Sequence, residues 1–170
     1  MNKVYEVCLE LFAERGYVII EKDEDQILAI KKDENQICAF ISNTPKFNVE
    51  KIQEYISLMK KIDVYHAIIV YKDNATPIAK KIIEESKDMI IELFHEEELM
   101  YNITKHYLVP KHKLAFQKGS KGAKEFKEKY NDKFPILLKT DPISRFYGFK
   151  KGDIIQVTRK GGNIMYRIVK

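Results

Sequence analysis

Glu125-Phe126-Lys127 has the Glu-x-Lys spacing that metal-assisted phosphodiester cleavage uses. Such a site needs that pair on one strand and an Asp on its neighbour, converging on Mg²⁺ beside the scissile phosphate. Here the pair falls in a lysine- and glycine-rich stretch, residues 111–133. The two apolar runs that read as adjacent strands, residues 26–31 and 36–42, contain no carboxylate, and Asp23-Glu24-Asp25 lies in a polar turn. The histidines make no stronger case. His106 and His112 are six apart, His95 stands alone and no cysteine is near, so no zinc-ligand spacing results. Nor is there a glycine-rich phosphate loop, an activated serine or a triad arrangement. The expectation is a chain with no catalytic residues, no metal and no cofactor.

A gentler chemistry is legible at Asp73-Asn74-Ala75-Thr76-Pro77-Ile78-Ala79-Lys80-Lys81. Asn74 or Thr76 can cap a helix, and Pro77 fits its first position, where a missing N–H costs nothing. The unpaired N–H groups at such an end carry partial positive charge and suit a phosphate. Lys80 and Lys81 lie one turn further on. Taken alone, the segment is equally an ordinary capped helix with a solvated lysine face.

These residues need elements to hold them. Residues 3–15 place Val4, Cys8, Leu11 and Phe12 on one helical face, and Gly16 stops the helix. Apolar runs at 17–20, 26–31 and 36–42, parted by polar turns at 21–25 and 32–35, predict an antiparallel meander. Asn48 caps a helix through Lys61 with an inner stripe of Val49, Ile52, Ile56 and Met59. Ala67-Ile68-Ile69-Val70 has no polar break, as expected of a central strand covered on both faces. The helix from Thr76-Pro77 and a strand over 89–94 complete a mixed sheet flanked by helices. Beyond Glu96-Glu97-Glu98 the pattern changes to a short helix around 121–130, and residues 111–122 are expected to be the most mobile loop of this second part.

Charge divides the chain at the same place. Residues 1–101 hold 13 Lys+Arg against 20 Asp+Glu, whereas residues 102–170 hold 17 against 5. Two domains with different partners follow from that split. Only Arg15, Arg145, Arg159 and Arg167 are arginines, which argues against sequence-specific reading of DNA bases. No apolar run approaches the length of a membrane helix. The acidic Glu6, Glu10 and Glu14 exclude a signal peptide over residues 1–16. Cys8 and Cys38 sit in apolar stretches and read as buried free thiols of an intracellular protein.

The most telling string is Lys139-Thr140-Asp141-Pro142-Ile143-Ser144-Arg145-Phe146-Tyr147-Gly148, continued by Lys151-Gly152-Asp153-Ile154-Ile155. Asp141 caps a short helix begun by Pro142 and ended by Gly148. A strand over 154–159, a two-residue Gly161-Gly162 loop and a strand over 163–169 then predict a hairpin. This string resembles the C-terminal assembly domain of the fifth subunit shared by eukaryotic nuclear RNA polymerases, and the archaeal polymerase subunit that corresponds to that domain alone. Asn102-Ile103-Thr104-Lys105-His106-Tyr107-Leu108-Val109-Pro110-Lys111-His112 resembles the strand-forming start of the same domain. The N-terminal half is similar to that family's jaw, of restriction-endonuclease-like architecture, through its element order and the Thr76-Pro77 helix start. Ile78 replaces a small polar residue of that helix start, and the Gly161-Gly162 tip is shorter than in the family.

The resemblance implies an α/β plus α+β protein. Residues 1–101 would be a mixed-sheet jaw domain, and residues 102–170 a small assembly domain of short helices and a β-hairpin. It implies a non-catalytic subunit of a multisubunit DNA-directed RNA polymerase, in the nucleus, or in the virion and viral factory if virally encoded. Asn74, Thr76, Pro77 and Lys80 would touch downstream duplex DNA weakly and without sequence preference. His106, His112, Arg145, Arg159, Lys160 and Arg167 would dock on the largest polymerase subunit, beside other subunits. The edge at 163–169 could add a strand to that partner. Neither a membrane nor a second copy of the chain is expected as a partner. The alternative is a free-standing basic nucleic-acid-binding protein, set aside because the basic half shows no aromatic platform.

Overall fold

The computed structural model describes residues 3–42, 44, 46–130 and 133–170. Residues 1, 2, 131 and 132, which the readings of 1–16 and 111–133 include, lie outside them. The backbone separates into two compact units, Met1–Tyr101 and Asn102–Lys170.

In the first unit, α1 (Lys3–Glu14) precedes an antiparallel meander of β1 (Val18–Lys22), β2 (Gln26–Ile30) and β3 (Gln36–Ile41). The first strand runs two residues further than its apolar run, because the reversal is made by the Asp23 N–H donating to the Gln26 carbonyl. After β4 (Lys46–Phe47) comes α2 (Val49–Lys61), capped by Asn48 Oδ1 accepting from the Lys51 N–H at 3.1 Å. Then follow β5 (His66–Tyr71), β6 (Asn74–Ala75), α3 (Pro77–Glu85) and β7 (Ile90–His95). The sheet order is β1-β2-β3-β5-β7, with β5 parallel to both neighbours.

Both faces of this sheet are covered, which is why β5 is an unbroken apolar run. Cys38, Phe40, Ala67 and Ile69 pack against Ile52, Tyr55 and Met59 of α2 and Ala79 of α3. Val49 and Ile56, expected inside α2, lie at the margin of that stripe, and Tyr55 takes the central place. On the other face Ile68 stands beside Glu92, and Glu92 bonds Arg15 just past α1, so α1 lies on that side. A two-residue parallel ladder of β4 with β6, unforeseen from the sequence, sets the caps Asn48 and Thr76 one residue beyond a shared register.

The second unit begins with a 3₁₀ turn, Ile103–Lys105, capped by Asn102. Its strands are β8 (Lys111–Phe116), β9 (Ile136–Leu137), β10 (Ile154–Thr158) and β11 (Ile164–Val169), with α4 (Lys121–Lys129) and α5 (Pro142–Tyr147) between them. They form one sheet in the order β8-β10-β11-β9, with β9 parallel to β11. Its core joins Leu137, Phe149, Ile155, Val157 and Val169.

Four sequence readings of this unit are corrected. Residues 111–116 form a strand paired with β10, where a mobile loop was expected, because Leu114 and Phe116 turn toward the unit while Lys111 and Lys113 face water. The strand accordingly starts at Lys111, and residues 103–105 are helical. The hairpin pairs Thr158 with Ile164 and closes with the Arg159 N–H on the Asn163 carbonyl, so its loop is Lys160-Gly161-Gly162. Both glycines have positive φ, 93° and 84°, a conformation that glycine adopts without steric cost. Finally, the edge of β11 is shorter than expected, since Ile168 and Val169 pair with Ile136 and Leu137 and only residues 164–167 lie beyond that ladder. A four-stranded sheet thus replaces the simple hairpin.

Candidate functional site

The first candidate surface is the start of α3. Thr76 Oγ1 accepts from the Ala79 N–H at 3.3 Å, Pro77 occupies the first turn, and Ala79 is fully buried. The cap is Thr76; Asn74, the other possibility, belongs to β6. The Thr76 N–H donates to the Phe47 carbonyl at 3.1 Å, tying this helix start to the strand that leads into α2. Two helix N-termini therefore open side by side, and their partial positive charges add at one place. Asn74, Pro77 and Lys80 are exposed there, Thr76 half-buried. Ile78 is exposed too, at 64%. Lys81 is paired with Glu85 at 3.7 Å along the helix.

The second candidate surface lies in Asn102–Lys170. His112, Arg159 and Arg167 line one notch of about 290 Å³, floored by Leu137, Ile143 and Val157. His112 Nδ1 lies 2.8 Å from the Pro110 carbonyl, and a carbonyl only accepts, so Nδ1 carries the hydrogen. Burial pushes the ring's pKa below the usual imidazole value, against the pull of that carbonyl and of Asp141. Arg167 Nη1 donates to the Ile136 carbonyl at 3.3 Å, while its Nε is buried without an acceptor.

Of the other docking candidates, Lys160 and His106 meet through one ring. Lys160 Nζ lies 5.3 Å from the Tyr107 centroid, and the His106 ring lies tilted against Tyr107 with centroids 4.9 Å apart. Arg145, half-buried on α5, is not among the residues lining the notch. The sequence reading missed the exposed Tyr107 and Leu108, whose succession of apolar residues before Pro110 was the available signal.

The basic unit is also richer in aromatic contacts than its sequence suggested. Phe126 of α4 touches Phe116, Tyr130, Phe134 and Tyr166, with centroids 4.6 to 5.5 Å apart. These rings pack on one another and fasten α4 to the sheet. Glu125-Phe126-Lys127 lies on that helix, and a second Glu-x-Lys, Glu85-Ser86-Lys87, closes α3, so neither pair stands on a strand. Among the described residues no cluster of three or more His, Cys, Asp or Glu could hold a metal ion, and no helix is long and apolar enough to cross a membrane.

Comparison with known proteins identifies the family. The model of the RNA polymerase Rpb5 C-terminal domain matches residues 101–169. Protein 454R of Invertebrate iridescent virus 6, assigned as a DNA-directed RNA polymerase subunit, is 34% identical over 187 aligned positions, 99% of each chain. The Dictyostelium discoideum subunit rpabc1 of DNA-directed RNA polymerases I, II and III is 34% identical over 139 positions, 78% of this chain and 71% of its own. A repair endonuclease from Pyrococcus abyssi aligns with 56% of this chain and 48% of its own, at 14% identity and a TM-score of 0.41, too distant to carry an argument. The chain belongs to the Rpb5 family of DNA-directed RNA polymerase subunits.

Proposed function

We propose that this chain is a structural subunit of a multisubunit DNA-directed RNA polymerase, with no chemistry of its own. The carrying observation is that its similarity to polymerase subunit 454R runs through 99% of both chains, so both units are kept together. In this reading Asn102–Lys170 is the assembly domain and docks on the largest subunit through His106, His112, Arg145, Arg159, Lys160 and Arg167. The clustering of His112, Arg159 and Arg167 on one notch supports it.

Met1–Tyr101 is the jaw in this proposal, and approaches downstream duplex DNA with Asn74, Thr76, Pro77 and Lys80. The paired helix starts on β4 and β6 supply the electrostatic reason. A unit with 13 basic against 20 acidic residues repels DNA elsewhere, so the contact is weak outside the assembly. Non-specific binders that use many phosphates reach only about 10⁻⁴ to 10⁻⁶ M at physiological salt. The place of action is the nucleus, or the viral factory and virion if the chain is virally encoded.

The test is affinity purification of the tagged full chain from its source, with mass spectrometry. Recovery of the two largest polymerase subunits at equal stoichiometry is the expected result. Recovery of the chain alone, or with nucleic acid only, would replace this reading with a free-standing basic nucleic-acid-binding protein.

A further inference from the structure

We infer that the notch on the second unit receives an acidic side chain, flanked by an aliphatic one, from a segment of a protein partner. The inference rests on the docking role proposed above and names the chemistry of what docks. Its lining combines an apolar surface with fixed positive charge. Leu108, Val109 and Pro110 form an apolar wall, above a floor in which Leu137, Ile143 and Val157 are each less than 8% exposed. Arg159 and Arg167 bring two permanent positive charges into the same space.

The balance of charge selects an anion. Among the described residues Asp141 is the one carboxylate of the lining, and its Oδ1 already accepts from the Ile143 N–H at 2.8 Å. His112 adds little positive charge at neutral pH, because burial holds its pKa below the usual imidazole value, and its Nδ1 hydrogen is already committed to the Pro110 carbonyl. The buried Nε of Arg167 has no acceptor, and a buried charged donor left unbonded is costly. A guanidinium fork matches a carboxylate in two-point contact.

Size and polarity select the source. At about 290 Å³ the notch is at the lower end of ligand-sized pockets, roughly 300 to 1,000 Å³, and admits one or two side chains. A nucleic-acid phosphate would satisfy the arginines and leave the apolar floor wet. A Glu or Asp beside a Leu, Ile or Val satisfies both. Leu108, 70% exposed on the rim, then gains apolar cover.

The test places a photo-crosslinking benzoylphenylalanine at Leu108 of the full-length tagged chain and maps the crosslinked segment by mass spectrometry. The expected segment is protein and carries Asp or Glu next to an aliphatic residue. Arg159→Glu, at an exposed position, lowers crosslinking by about tenfold or more, and reversing the partner's acidic residue to Arg restores it. Arg167→Gln has the same direction, judged against its thermal midpoint. A crosslink to nucleic acid, to a segment without an acidic residue, or to nothing would overturn the inference, as would full crosslinking by Arg159→Glu. If the acidic segment belongs to a protein outside any polymerase, the docking reading falls and the chemistry of the notch stands.

Discussion

Arg15 grips Glu92 with both prongs of its guanidinium, Nη1 and Nη2 lying 2.7 and 2.8 Å from the two carboxylate oxygens across 77 residues of chain. The same carboxylate meets His66 Nε2 at 2.7 Å. Burial alone would push the Glu92 carboxyl up. The Arg15 and His66 hydrogen bonds outweigh it and hold the pKa at about 2, below the ordinary 4.5. The Arg15 side chain is only 3% exposed and that of Glu92 23%, so this two-point bond is made largely out of water.

Glu92→Gln therefore destabilises the first unit by about 2–4 kcal/mol at neutral pH, since it removes the carboxylate that a buried guanidinium holds at two points. The pH dependence has a definite sign. A carboxyl whose folded pKa is depressed contributes its full stability above the unfolded value and loses it as pH falls through the folded one. Denaturant melts of wild type and Glu92→Gln should differ most above pH 4.5 and converge toward pH 2. A gap that stays constant over that range would contradict the assignment.

The two thiols should be silent. Burial pushes Cys8 up to about 12, partly offset by Arg15, and pushes Cys38 up to about 12, partly offset by a backbone hydrogen bond. Since the thiolate is the reactive form, native protein at pH 8 should resist iodoacetamide at both positions. Guanidinium should expose both to quantitative labelling. Mass spectrometry of tryptic peptides separates the two sites, and native labelling of either would show that its pocket opens.

Asp153 is a small keystone of the second unit. Its Oδ1 accepts from the Lys118 N–H at 2.9 Å and its Oδ2 from the Lys150 N–H at 2.8 Å, joining the end of β8 to the turn before β10. Asp153→Ala strands both amides and should cost about 2–3 kcal/mol. Hydrogen exchange at Lys118 and Lys150 should quicken together, whereas an unlinked pair would respond singly.

The proposed division of labour has its own test. Arg145→Glu should abolish co-purification with the largest polymerase subunit, and Lys80→Glu should leave it intact. The Lys80 variant should instead weaken crosslinking of the assembled enzyme to downstream duplex DNA. Identical behaviour of the two substitutions would dissolve the division. Circular dichroism of both variants separates lost docking from lost folding.

Local chemistry made much of this architecture legible. Asn48, Thr76 and Asp141 cap the helices their positions announce, and Gly148 ends α5 at a φ of 68°. Each is a matter of one side chain and the next few amides. The parts that escaped reading are assembled over distance. β8 opens on Lys111-His112-Lys113, so its start looks like a charged loop until β10 supplies the ladder. The β4–β6 pairing involves two residues on each side, too short for any periodic signal. The notch draws on residues from 108 to 167, and no local window contains its arginines together with its floor. The ring cluster on Phe126 likewise collects partners from Phe116 to Tyr166.

The place of β11 in the second sheet also bears on synthesis. β9 and β8 lie at opposite edges and are joined only through β10 and β11, while Lys170 exchanges hydrogen bonds with residues 137 and 139. A ribosome that has delivered residues up to 160 has made three of the four strands, yet β9 still has nothing to zip onto. The first unit can fold while the chain is still emerging. The second must wait for residue 169, so a nascent chain passes through a stage with one finished sheet and another still open along β9.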